Sequence, residues 1–292
     1  MNFFTSVVIG FVQGVGEFLP ISSSGHLVLL YQLFRIKGDT VLISIFLHIA
    51  TLFSVLYVYR KEVICLIKHP FCKTNKLLVV ATIPTVIIAL ILNKLITASF
   101  ENNFVIFGFL ITAVLLGFAD YVLENRQTQL GGKKILSVGS TRYSANKNNQ
   151  LVCYNSLLNS GRDITNINLS FKNVVFMGVV QGIACFPGIS RSGSTISAGL
   201  IAKGDKEEVT TFSFLLSIPV IIGSLIFSLL DVSSSSIRIG TFSLISACLI
   251  SFLVGIISIR LVGKVIKNKK LSYFSFYLIG LVFVVLLIKF IF

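Results

Sequence analysis

The sequence predicts an all-α polytopic membrane protein made of two inverted repeats, each a re-entrant broken helix followed by three transmembrane helices. Three observations predict it. The 292 residues are 54% hydrophobic and only 12% charged, with a mean hydropathy of +0.91, too apolar for a water-soluble domain. Six apolar stretches each approach the roughly 20 residues needed to cross a bilayer. A short motif with polar residues inside a hydrophobic run occurs twice.

The first broken segment covers residues 3–36, with the motif VQGVGEFLPISSSGH at 12–26. Gln13 and Glu17 stand four apart and share one helix face. Pro20 ends that helix, since it lacks an N–H and clashes with the turn before it. Ser22, Ser23, Ser24 and Gly25 form a small polar turn, and His26 opens a second apolar helix. Spans at 41–60, 77–98 and 103–122 complete the first repeat, residues 1–122. Residues 123–171 are polar and read as a long cytoplasmic surface loop. The second repeat, 172–292, opens with a broken segment at 172–203 and continues with spans at 209–230, 239–259 and 271–292.

The repeat is visible without gaps. Residues 180–193 laid on 12–25 match at eight of fourteen positions, including Gln13/Gln181, Phe18/Phe186, Ser22/Ser190 and Gly25/Gly193. The differences divide the chemistry. Glu17 aligns with Cys185, and Ser23 aligns with Arg191, so one copy carries the acid and the other the base. Paired interrupted segments in two halves point to a site at the repeat interface. Three crossings per repeat is an odd number, so the second repeat runs inverted.

Charge sets the orientation. With the N-terminus outside, loops 60–76, 123–172, 203–208 and 260–270 lie inside and hold 19 of the 25 Lys and Arg residues. The outside stretches hold Arg35, Lys37, Lys94, Arg238 and Lys289. This positive-inside bias places both termini outside. It also accounts for the net charge of +14 without nucleic acid. No basic n-region precedes Arg35, so no cleavable signal is expected, and the five cysteines show no CxxC or metal spacing.

Ionisable groups at membrane depth are functional candidates by default. Arg191 suits bidentate phosphate binding. The helix starts after the two turns supply backbone donors and partial positive charge; Ser22, Ser24, Gly25, Ser190, Ser192, Gly193 and Thr195 are the phosphate-binding candidates. Ser23 is the candidate nucleophile, activated by Glu17 or His26, with direct attack by water as the alternative. Glu17, with the Gln13 amide oxygen, is the candidate ligand set for a divalent cation, Mg²⁺ first and Ca²⁺ second.

QGVGEFLPISSSGH at 13–26 and PGISRSGST at 187–195 resemble the two signature regions of the undecaprenyl-diphosphatase, or bacitracin-resistance, family. The repeat layout is similar as well. Gln13 departs from the commoner acidic residue, and loop 123–171 is longer than the family's. The resemblance implies an enzyme of the bacterial cytoplasmic (inner) membrane, a phosphatase hydrolysing undecaprenyl diphosphate to the monophosphate and inorganic phosphate. It implies recycling of the lipid carrier for peptidoglycan and cell-wall synthesis, and bacitracin resistance. The expected partners are the polyprenyl diphosphate and the bilayer, with no oligomeric state assigned. The rival class is a transporter or flippase for a polyprenyl phosphate, because inverted repeats and discontinuous helices are transporter architecture.

Plainer roles compete with these. Glu17 and Arg191 can be a structural ion pair; His26 can cap its helix; some serines can satisfy freed backbone groups. His48 reads as a packed or polar-bonded helix residue rather than a catalytic one, His69 as solvated, and Asp120 and Lys94 as snorkelling side chains.

Overall fold

A computed structural model describes residues 2–36, 40–101, 104–129, 136–138, 141–145, 151–155, 164–231, 240–268 and 270–291. The expected span limits at 103, 239 and 292, part of loop 123–171, and Lys37, Arg238, Lys133, Lys134, Lys147, Arg162 and Lys269 of the charge pattern lie outside the described residues.

The first broken segment is α1 (Phe3–Gly16) and α2 (Ser23–Leu33). Then come α3 (Thr40–Val58), α4 (Arg60–Lys68), α5 (Lys73–Ile91), α6 (Asn93–Glu101) and α7 (Phe104–Gln129). A small antiparallel sheet follows: β1 (Leu136–Val138), β2 (Thr141–Ala145) and β3 (Leu151–Asn155). The second broken segment is α8 (Phe171–Ile183) and α9 (Arg191–Ile201), followed by α10 (Lys206–Asp231), α11 (Thr241–Asn268) and α12 (Ser272–Ile291).

Six helices, α3, α5, α7, α10, α11 and α12, are long and apolar enough to cross a membrane, which makes this a multi-pass membrane protein. The four arms of the broken segments are not: α1, the longest at 14 residues, rises about 21 Å, short of a hydrocarbon core about 30 Å thick. Each pair of arms packs on itself around its break.

The broken segments do not pack mainly within their own halves. α1 lies against α11, and α8 lies against α5. Gly10 and Gly178, at the same repeat offset, make the two contacts: a Cβ on Gly10 would strike the Ala247 carbonyl, and one on Gly178 the Ala81 carbonyl. Small residues that let backbones approach are how helices pack in lipid, where no hydrophobic force drives them together. Polar bonds reinforce the crossings. Thr85 Oγ1 donates to the Gly178 carbonyl at 2.8 Å between α5 and α8, and Ser54 Oγ of α3 donates to the Phe252 carbonyl at 2.9 Å, tying α3 to α11 beside α1. The core beneath both turns is aromatic and aliphatic, with Phe18, Phe109, Phe212, Phe214 and Met177 buried together.

Three expectations need correction. The apolar run at 77–98 is not one helix; α5 stops at Ile91 and the short amphipathic α6 starts at Asn93. Residues 123–171 are not surface loop throughout. α7 continues to Gln129, and at the far end Ile164, Ile167 and Leu169 are buried in the main core. There Thr74 Oγ1 donates to the Ile164 carbonyl and accepts from the Ile167 N–H, fixing the segment to α5. Asp120 does not snorkel. It is buried on α7 and accepts from the Ser272 N–H at 2.6 Å, holding the start of α12.

Candidate active site

The two turns are built alike from unlike residues. Ser22 caps α2, its Oγ accepting from the Gly25 N–H at 3.3 Å, and Ser190 caps α9 by accepting from the Gly193 N–H at 3.1 Å. The N–H groups of Ser23 and Ser24, and of Arg191 and Ser192, then have no intrahelical acceptor and point out of each helix start. The reversals differ in one respect. The second turn uses Gly188 at φ +86°, a region glycine enters without penalty. Pro20 stands at the aligned position, and its ring holds φ near −65°. The positive φ falls instead on Ser22, at +70°, a backbone state that costs about 1–3 kcal/mol for a residue with a side chain.

The turns touch. Ser192 Oγ donates to the Leu19 carbonyl at 3.2 Å. A Cβ on Gly193 would meet Pro20, and one on Gly25 would meet Phe109 and Gly188. At this junction lies the Glu17 carboxylate, 4% exposed. Its Oε1 accepts from Arg191 in a direct ion pair. Its Oε2 accepts from Ser23 Oγ at 2.8 Å and from Gln13 Nε2 at 3.2 Å. Glu17, Ser23, Arg191 and Gln13 are therefore brought together, three from the first turn and one from the second. A carboxylate that already accepts a serine hydroxyl is placed to take its proton, and a guanidinium beside it is placed to hold an anion.

The other predicted site residues stand around this group. His26 is not in contact with Ser23 or Glu17. Its Nδ1 donates to the Ser22 carbonyl at 2.7 Å, which leaves Nε2 as the acceptor for the Tyr277 hydroxyl at 2.8 Å. The ring stacks on Tyr277 of α12 and meets the edge of Phe109. Ser24 Oγ is 3.3 Å from Ser22 Oγ, and Ser192 Oγ is 3.4 Å from Ser190 Oγ. Thr195 is turned to α10, where its Oγ1 meets Ser213 Oγ at 2.5 Å. Cys185, at the position aligned with Glu17, directs its Sγ to the Gln181 carbonyl one turn back.

One neighbour was missed. His48 of α3 has its Nδ1 3.5 Å from Glu17 Oε2 and 3.3 Å from Gln13 Nε2. The signal was present: an imidazole inside an apolar span is a functional candidate by default. The polar-bonded reading of His48 holds, and the partners, Glu17 and Gln13, lie on another helix.

A divalent cation fits these donors. Gln13 is fully buried and its Oε1 has no partner among the described residues, one helical turn from the Glu17 carboxylate. Mg²⁺ is commonly held by one or two protein oxygens together with substrate phosphates.

The chain is similar to known proteins along nearly its whole length. A family model described as bacitracin resistance protein BacA matches residues 6–284. The undecaprenyl-diphosphatase of Alkaliphilus metalliredigens is 35% identical over 300 residues, covering 95% of each chain. Undecaprenyl-diphosphatase 3 of Bacillus cereus is 35% identical over 292 residues, covering 99% of this chain and 98% of its own. The undecaprenyl-diphosphatase of Treponema denticola is 34% identical over 295 residues, with 96% and 95% covered. A match this complete, on a chain whose two turns meet around Glu17, Ser23 and Arg191, places the protein in the bacitracin resistance protein BacA family.

Proposed function

We propose that the chain hydrolyses undecaprenyl diphosphate to undecaprenyl phosphate and inorganic phosphate. The relatives' names give the substrate class. The observation that carries the chemistry is one carboxylate bonded at once to a serine hydroxyl and to an arginine of the other turn. Recycling the lipid carrier for peptidoglycan synthesis, and resistance to an antibiotic that sequesters the diphosphate, follow from this activity.

The distal phosphate lies against the open N–H groups of the two helix starts, and Arg191 turns from Glu17 to its equatorial oxygens. Ser23 Oγ attacks the distal phosphorus while its proton passes to Glu17, and the phosphorus–oxygen bond to the lipid phosphate breaks. Glu17 gives that proton to the departing lipid phosphate and is free again; water then attacks the phosphoserine, its proton passing to Glu17 and on to Ser23 Oγ as the serine oxygen leaves, and inorganic phosphate is released. Glu17 and not His26 is the base for Ser23, because only Glu17 bonds it. His26 Nδ1 is committed to the Ser22 carbonyl; the ring fixes the turn that carries Ser23. Glu17 and the Gln13 amide oxygen, with substrate phosphate, would hold a divalent cation, Mg²⁺ first and Ca²⁺ second. Bound there, it would supply neutralisation of the diphosphate charge.

Two inverted repeats in the cytoplasmic membrane, with both termini outside, complete the proposal. The crossed packing of α1 on α11 and α8 on α5 supports the repeat relation, and the Lys/Arg count supports the orientation. A transporter of lipid phosphate would use the same donors but has no need of a carboxylate bonded to a serine. The deciding experiment is phosphate release from a C55 diphosphate by detergent-solubilised protein, with and without EDTA. Many turnovers that EDTA abolishes are expected. Tight binding with no release, across several metals, would overturn the enzyme.

A further inference from the structure

The chain does not pass directly from the span α3 to the span α5. α3 ends at Val58, α4 occupies Arg60–Lys68, and α5 starts at Lys73. Nine residues rise about 14 Å, too short to cross a bilayer. Joined at both ends to membrane-length helices, α4 lies at a membrane surface. One face of it is packed: Leu66 is in the main core, with Val63 and Cys65 against it. The other face is open. At about 100° per residue, Ile64 and Ile67 stand on one side of the open arc and Lys61 and Lys68 on the other, all four exposed. Phe71, in the turn that follows, is 85% exposed. The turn is nevertheless fixed. Asn75 Nδ2 bonds across the carbonyls of Leu66, His69 and Pro70 at 2.8, 3.1 and 3.2 Å. One residue earlier, Thr74 holds Ile164 and Ile167. Between these two held segments is a cavity of about 580 Å³, with Lys68, His69, Pro70 and Phe71 on one side and Thr165 on the other. That volume falls in the range of ligand sites, about 300–1,000 Å³.

Charge selects the occupant. Residues 60–76 hold Arg60, Lys61, Lys68, Lys73 and Lys76 against one acid, Glu62. Arg60 is engaged: its Nη1 donates to the Tyr57 carbonyl at 3.0 Å and its guanidinium lies over the Tyr57 ring. The other four bases are exposed and form no ion pair among the described residues. A partner for this surface must bring negative charge and an apolar body at the depth of the lipid headgroups. We propose that α4 and the turn 69–72 form a docking site for an anionic phospholipid. Its phosphate lies in the cavity beside Lys68 and His69, and its acyl chains run over Ile64, Ile67 and Phe71. Lys61, Lys73 and Lys76 add to the attraction. The negative end of α4 does not oppose an anion there, because the Asn75 amide covers the terminal carbonyls and Lys68 stands in the last turn. The site uses none of the residues that meet around Glu17.

The chain contains no tryptophan, so Phe71→Trp places a single fluorophore at the site. The full-length variant is placed in phosphatidylcholine nanodiscs. Either phosphatidylglycerol or phosphatidylcholine, brominated on its acyl chains, is added at equal mole fraction. Bromine quenches only nearby rings, so the ratio of the two signals reports which lipid stands beside residue 71. Quenching by the brominated phosphatidylglycerol should be at least about threefold stronger, the scale of one or two bases at an anionic surface. The preference should vanish when Lys68→Gln and Lys73→Gln are combined, survive when Lys68→Arg and Lys73→Arg are combined, and weaken at high salt. Phe283→Trp, exposed midway along α12, should show no preference. Equal quenching by the two lipids at residue 71, a preference that the paired Gln variant keeps, or the same preference at residue 283 would overturn the site. No quenching by either lipid would place α4 clear of the membrane and overturn it too. Undecaprenyl phosphate that abolishes the preference at equal mole fraction would make this a site for the prenyl carrier and not for a phospholipid.

Discussion

Glu17 and Arg191, 174 residues apart, form the ion pair that joins the acid of one turn to the base of the other. In the proposed reaction substrate charge takes its place: Arg191 exchanges Glu17 for a phosphate, since it cannot hold both fully. Glu17→Gln should therefore do two things: lower turnover on the order of 10²-fold or more, and tighten inorganic phosphate binding, because the guanidinium is freed. Arg191→Lys should lower turnover and weaken phosphate, since the fork is lost. Steady-state kinetics with phosphate as product inhibitor measure both; weaker phosphate inhibition in Glu17→Gln would refute the exchange.

The Ser23 hydroxyl is 2.8 Å from the Glu17 carboxylate, its proposed base. Ser23→Ala should lose about 10³-fold or more in kcat with little change in KM, because it removes the nucleophile and not the anion-binding donors. Rapid quench with labelled diphosphate should trap phosphate on Ser23 in the native protein. A Ser23→Ala variant retaining a tenth of native turnover would establish direct attack by water.

In the proposed reaction the stacked His26–Tyr277 pair acts through the turn rather than on the substrate. Tyr277→Phe removes one hydrogen bond at a half-exposed position and should lower kcat only a few-fold. His26→Ala also frees the Ser22 carbonyl and should lower it about 10–100-fold. Both should leave the pH profile of kcat unshifted; a shift in either would make His26 a proton carrier.

Deleting the polar segment 132–160, which is far from either motif in sequence, should leave phosphate release within a few-fold of native, because changing the length of a connection costs little in closure entropy. Extending the deletion through Leu169 should destabilise the protein, since it empties the sites of Ile164, Ile167 and Leu169. Thermal unfolding and activity of the two deletions separate the outcomes.

With both termini outside, engineered cysteines in loops 60–76 and 260–270 should resist an impermeant thiol reagent in intact cells. The background must lack Cys65 and Cys72, which stand in the first loop. Labelling in either loop would reverse the orientation.

What could be read from the chain was local. The break at Pro20, the offset between the two motifs and the number of membrane-length helices follow from proline, glycine and apolar runs within about twenty residues. The Glu17–Arg191 pairing was legible only because one copy carries the acid, Glu17 opposite Cys185, and the other the base, Arg191 opposite Ser23. Tyr277 was not legible, and His48 showed only as an imidazole inside an apolar span, since the partners of both depend on which helix faces which turn. The fixing of α1 to α11 was hidden for the same reason. In Ile164, Ile167 and Leu169 the apolar spacing was visible, but it was too short to stand out in a polar stretch.

The crossing of α1 onto α11 also fixes an order of events during synthesis. The surface that α1 needs is encoded in the last quarter of the chain. At about 5–20 residues per second the ribosome delivers it roughly 10–45 s after α1 has left. Through that interval the first turn has neither its helical neighbour nor Arg191, so the Glu17 carboxylate is without its ion-pair partner. A nascent chain arrested before α9 should therefore hold a first hairpin that proteases and quality-control factors can reach, and maturation of the site should coincide with insertion of the final helices.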